Sequence, residues 1–195
     1  MLHKDILRGR DSLSSTIIRA LSMEEVERLI GIYHVECFDK YGNLKWQDAA
    51  PNLITTVGKN HMLDNYLAGS AFTQTGPFMG LISSVSYSAI SAADTMTSHS
   101  GWTEAGGTNA PTYSGTRKTC AWSAASAGSK SLSAALAFVF GSTGTIKGCF
   151  LTLGSGAVNT IDNTGGTLFS AGLFTTGDRA VNSGDTVNAS YSASI

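Results

Sequence analysis

The sequence predicts a mainly β fold, an antiparallel β-sandwich or jelly roll with a short N-terminal helix and one further helix. Three observations predict it. From about residue 76 onward, six strand-length runs are separated by turns of Gly, Asn and Ser, the spacing of an antiparallel sandwich. The last run, "TVNASYSASI", alternates Val187, Ala189, Tyr191 and Ala193 with Asn188, Ser190 and Ser192. That period of two sets one face on a core and the other in water. Charge is also divided unevenly: residues 1–48 carry seven of the 13 basic and eight of the 14 acidic side chains, and the rest of the chain only twelve charges. A charged N-terminal helical arm, residues 1–31, is therefore expected to precede a Gly/Ser/Thr-rich β-sandwich body, residues 32–195.

The elements follow in chain order. "SMEEVERLIG" predicts a short helix: Ser22 is the N-cap, Glu25 its capping-box partner and Gly31 the C-terminal stop. Met23, Val26, Leu29 and Ile30 form one apolar stripe and are the candidate partner interface. A helix this short is marginal alone, so the stripe must dock on the body or on a neighbouring chain. Next, "IYHVECFDKYGNLKWQD" predicts a hairpin turning at "DKYGN". "TTVGKNHMLDNYLAGS" predicts a helix from about Val57 to Ala68, with a Thr cap, a buried face of Met62, Leu63, Tyr66 and Leu67, and Gly69 as its stop. The runs "FMGLIS", "YSGTRKTCAW", "LSAALAFVF", "TIKGCFLTL", "TLFSAGLF" and "TVNASYSASI" then read as strands, with "GSTG" at 141–144 as a turn.

One stretch contains the residue types of a hydrolase. "ADTMTSHSGWTEAGG", residues 93–107, places Asp94, Ser98, His99 and Glu104 within twelve positions. Ser98 lies outside any G-x-S-x-G elbow, and adjacent Ser98 and His99 point in different directions on most backbones. Asp94 with Thr95 and Thr97 reads as turn-capping chemistry, and Trp102 as the apolar anchor of a long loop. The expectation is a structural loop with no catalytic residue. "GSTGTIKG" lacks the G-K-[ST] ending of a phosphate loop and precedes a strand. Trp46, Trp102 and Trp122 could line a sugar-binding groove, but as scattered tryptophans they read as core and loop anchors.

Composition excludes several classes. A net charge of −1 without clustered Lys and Arg offers nothing to track phosphates, so no nucleic acid is expected. Three cysteines without C-x-x-C spacing argue against a disulfide framework or zinc site, and no metal or cofactor is expected. "LHKDILRGRD" after Met1 is too charged for a signal-peptide core, and there is no 18-residue apolar run. Folding in a reducing cytosol, away from membranes, is expected. Charged residues are 14% of the chain, well below the roughly 25% usual in soluble domains, which favours a subunit whose surface is covered by neighbours.

The runs "NLITTVGKNHMLDNYLAG", "GLISSVSYSAISAADTMTSHSGWTEAGGTNAPTYSGTRKTCAW", "GCFLTLGSG" and "SGDTVNASYSASI" resemble a family of small structural proteins of tailed bacteriophages, over about residues 32–195. The resemblance implies a non-enzymatic virion protein, a head decoration or cement subunit bound to the major capsid protein or other virion proteins and assembled as a homo-oligomer. A tail or fibre-attachment component, in contact with host glycans, is the alternative. A Ser/His hydrolase is the remaining rival.

Overall fold

The computed structural model describes residues 29–67 and 75–195. Ten strands and one helix make up the described chain: β1 (Ile30–Phe38), β2 (Leu44–Ile54), α1 (Thr56–Tyr66), β3 (Phe78–Ser83), β4 (Lys118–Thr119), β5 (Ser129–Ser131), β6 (Leu136–Val139), β7 (Gly144–Leu153), β8 (Thr167–Leu173), β9 (Arg179–Val181) and β10 (Thr186–Ser194). Every strand pairing is antiparallel, in the order β4-β3-β7-β8-β2-β1-β10-β5, with β6 also on β10 and β9 on β7. The first part of β2 pairs with β1 and its last three residues pair with β8. One strand thus serves both halves, and the sheet curls into half a barrel.

The core lies inside the curl. Tyr33, Val35 and Cys37 of β1 and Val187, Ala189 and Tyr191 of β10 share one buried cluster with Met79 and Leu81 of β3 and Cys149 and Leu151 of β7. The alternation read in the last run is therefore realised, with Val187, Ala189 and Tyr191 inward. Tyr33 Oη and Ser170 Oγ share a 2.7 Å hydrogen bond, which satisfies a phenol that carries its ring into the core. The hairpin turns where expected: the Asp39 carboxylate accepts the Tyr41 and Asn43 amides.

The arm requires a correction at its boundary. Ile30 and Gly31 belong to β1, paired with Ser194 and Ala193, so Gly31 does not stop a helix. A Cβ on Gly31 would come 2.0 Å from Tyr191 Oη, which accepts from Asn52 Nδ2 at 2.7 Å. The glycine makes room for that hydroxyl. The remainder of the expected helix, with Met23 and Val26, lies outside the described residues, as does Gly69.

The helix α1 begins at the expected threonine, Thr55, whose hydroxyl accepts the Gly58 amide at 3.0 Å. Its buried side is not the one expected. Met62, Leu63 and Leu67 are exposed, and α1 meets β8 through Gly58, whose Cα lies against the Phe169 carbonyl. Close backbone approach, not an apolar stripe, seats this helix. A Cβ at position 58 would stand 2.4 Å from that oxygen. Gly58→Ala should therefore cost about 1–3 kcal/mol through backbone displacement, outweighing the ~1 kcal/mol that alanine gains in helix propensity. A lower urea midpoint is the expected reading; a higher one would mean that propensity decides.

"YSGTRKTCAW" yields only the two residues of β4. Its backbone amides are taken elsewhere: Ser114 N–H donates to Val139, Arg117 N–H to Asn159 and Cys120 N–H to Pro77. Strands β5 and β9, three residues each, were not foreseen.

Candidate functional site

The long connection between β3 and β4 is pinned at two places. Thr103–Ala105 runs beside β3, with the Ser83 amide donating to Thr103 and the Ala105 amide to Leu81. This directs Glu104 inward, over Gly80, where a Cβ would lie 2.9 Å from Glu104 Oε1. There Glu104 meets Arg117 in a two-pronged ion pair, Nε to Oε1 at 2.8 Å and Nη2 to Oε2 at 2.7 Å. Both side chains are buried, 4% and 0% exposed. The Asp162 amide donates to Glu104 Oε2 at 2.8 Å, and Arg117 Nη2 donates to the Asn163 carbonyl at 2.7 Å. The pair thus ties the β7–β8 loop to the β3–β4 loop. Burial pushes the Glu104 carboxyl above its usual range, against the pull of Arg117.

The second pin is Trp102, 1% exposed. Its indole packs against Phe150 at 5.2 Å between ring centroids and donates from Nε1 to Asp94 Oδ2 at 3.0 Å. His99 stacks on the outer side of the indole at 4.1 Å, and its Nδ1–H donates to the Trp102 carbonyl at 3.1 Å. Thr95 caps the turn by accepting the Ser98 amide.

The hydrolase residue types are therefore dispersed. Asp94 holds Trp102 and the Ser91 amide, His99 holds a carbonyl, and Glu104 holds Arg117. Among the described residues no hydrogen bond joins Ser98 to His99. A cavity of about 140 Å³ lies between His99, Glu104, Arg117 and Asp162, and Ser98 does not line it. No group of three His, Cys, Asp or Glu side chains suited to a metal ion occurs among the described residues. The described cysteines are free and buried. Burial pushes Cys37 up to about 11 and Cys120 up to about 12, with Cys149 raised further.

The three tryptophans face different neighbours. Trp46 packs against Phe174 and Arg179, Trp122 against Tyr191 and Lys130, and Trp102 lies in the core. They line no common groove.

Besides Glu104 and Arg117, three further ion pairs engage charges of the body. Lys45 pairs with Asp185, Lys147 with Asp178 and Arg179 with Asp48. Asp48 also accepts the hydroxyls of Thr175 and Thr176. Burial works to raise its carboxyl, but these donors together hold it down at about 2. In the unfolded chain an aspartate titrates near 3.9, so this stabilisation is complete above about pH 4 and is lost as pH falls towards 2. The slope should cost on the order of 2 kcal/mol over that window. Urea midpoints of Asp48→Asn, which cannot ionise there, should lack that increment.

The outward face of the sheet has a different character. By strand register its rows read Pro51–Ile32–Ser192–Ser131, Ala49–His34–Ser190, Gln47–Glu36–Asn188–Ala137 and Leu44–Phe38–Thr186–Val139 across β2, β1, β10 and then β5 or β6. Small, hydroxyl and amide side chains predominate in the three upper rows, whose ionisable groups are His34 and Glu36. A shallow depression of about 640 Å³ runs along it, lined by His34, Glu36, Gln47, Asn188 and Ser190 among others.

Of the residues expected at a partner interface, Leu29 is half-buried and Ile30 is 55% exposed at the start of β1. Arg117 and Asp162 are site residues that sequence reading passed over. The available signal was the scarcity of charge: an arginine in so neutral a body needs a partner.

Fold and site define a curled antiparallel β-protein with one loop fastened by an ion pair and a tryptophan. No protein-family model, curated protein or solved structure matches the chain. No described helix is long and apolar enough to cross a membrane.

Proposed function

We propose that this chain is a non-enzymatic structural protein of a phage virion, a decoration or cement subunit that stabilises the head shell by contacts with the major capsid protein and with its own copies. On this reading the two halves of the curled sheet act as the layers of a sandwich. The observation that carries the proposal is the outward face of β2, β1, β10 and β6. Many of its side chains, Ala49, Ser190, Ser192, Ala137 and Ser131 among them, are short and lose little conformational entropy on contact, which suits a contact repeated over a symmetric shell. Many weak contacts of this kind add up through avidity. The structural engagement of Asp94, His99 and Glu104 supports the same reading over a hydrolase. The sequence resemblance supports a virion location.

The test is to crowd that face. Ser190→Arg with Ala137→Arg should change stability by less than about 1 kcal/mol, as surface substitutions do, and should reduce incorporation into particles at least tenfold. Normal incorporation of a folded variant would remove this face from the interface. The tail or fibre-attachment alternative differs in copy number.

A further inference from the structure

We infer that a second copy of this chain covers the outward face of β2, β1 and β10, packed about a two-fold axis that crosses β1 at right angles, level with Val35. The inference rests on the reading of that face as a contact surface and names its occupant. His34 and Glu36, two residues apart on β1, stand in the middle of the face, and both are exposed. Among the described residues no hydrogen bond or ion pair engages the side chain of either. Asp48 is the other ionisable group at the depression, but its side chain is 1% exposed and held by Arg179. An imidazole that donates an N–H and a carboxylate that accepts one are therefore the ionisable groups left for a partner to satisfy.

The strand register selects the axis. Sheets pack face to face about 10 Å apart with their strands roughly aligned. An axis across β1 at Val35 reverses the strand direction and lays the row of residue 34 in one copy on the row of residue 36 in the other. His34 of each copy then faces Glu36 of the other, twice over, as an isologous contact requires. The same operation sets Ala49 against Gln47 and Ser190 against Asn188, in each case a short side chain against a longer amide. One row further out it sets Ile32 against Phe38 and Pro51 against Leu44, which gives the 53% exposed Leu44 an apolar neighbour. An axis running along β1 would instead lay His34 on His34 and Glu36 on Glu36, and an axis crossing at either residue would lay that residue on its own copy. At about 3.3 Å per residue and 4.8 Å per strand, the patch measures roughly 23 by 14 Å. That is small for a specific interface, so the dimer is weak and forms at high concentration.

Sedimentation equilibrium of the full chain from about 10 µM to about 1 mM spans the range of a weak interface, and the parent should pass from monomer to dimer across it. His34→Glu places two like-charged pairs across the axis and should raise the dissociation constant at least about tenfold. His34→Glu with Glu36→Arg exchanges the two roles and should return it to within about threefold of the parent. Both positions are exposed, and an unchanged urea midpoint checks that each variant is folded. A parent that stays monomeric at the top of the range, as it would if another protein or a different part of the same chain covered the face, would overturn the inference. So would a folded His34→Glu variant that dimerises as well as the parent, or a double variant no better than the single one. The particle test on Ser190→Arg with Ala137→Arg reads the other claim separately. Lost incorporation beside a monomeric parent would leave the face to the shell protein and remove the second copy. Normal incorporation beside a parent that dimerises would keep the dimer and remove the face from the shell.

Discussion

Replacing Arg117 with methionine is expected to cost about 3–5 kcal/mol, the range for breaking a buried ion pair by removing one partner. The Glu104 carboxylate would stay beneath the two loops with only the Asp162 amide for support. The carbonyl of Asn163 would lose its donor as well. At roughly 2–4 °C per kcal/mol for a domain of this size, the thermal midpoint should fall by roughly 6–20 °C. Changing Glu104 to leucine in the same chain should recover much of that loss, because the isolated charge is what costs most. Calorimetry on the two variants checks both statements. A single variant within about 1 kcal/mol of the parent would mean that the loops are held by other contacts.

Trp102→Ala should rank beside it, at about 3–5 kcal/mol, the range for emptying a large aromatic site in a core. The indole fills space between Ile82, Met96, Phe150 and Leu168, and its loss also removes the platform under His99 and the donor to Asp94. Trp102→Phe keeps most of the packing and loses the hydrogen bond to a carboxylate, worth about 1.5–3 kcal/mol; it should fall between the two. His99→Ala removes a stacking partner and the hydrogen bond to the Trp102 carbonyl and should cost about 1–2 kcal/mol. That ranking, Trp102 well above His99, is the signature of a loop whose polar residues serve its shape.

The sequence was informative where periodicity and burial act together. β10 could be read residue by residue, since alternation there decides which side chains enter the core, and the β1–β2 hairpin could be placed by its turn at Asp39–Asn43. The position of Trp102 was legible because a tryptophan in a polar loop has few other places to go. Reading failed where backbone contacts, not side chains, set the packing. Helix α1 is seated by Gly58 against a carbonyl, so its apolar residues signalled the wrong face. Gly31 resembled a helix stop because its true reason, the hydroxyl of Tyr191, lies 160 residues away along the chain. The run around Arg117 has strand composition, yet its amides bond to residues distant in the chain, Val139, Asn159 and Pro77, that local pattern does not reveal.

The ionisable residues form a consistent set. Four ion pairs and the carboxylates of Asp94 and Asp162 engage strands and loops of the fold with one another, and hydroxyls and amides predominate on the outer face. A surface of that kind suits repeated contact with like surfaces better than it suits a freely diffusing monomer, which relies on charge to stay apart from its copies.

The measurement that bears most directly on the proposed role is quantitative mass spectrometry of purified particles from cells producing this chain, with copies counted against the major shell protein. The decoration role predicts hundreds of copies per particle. A count of six to a few dozen would contradict it and assign the chain to the tail, and absence from particles would contradict a virion role altogether.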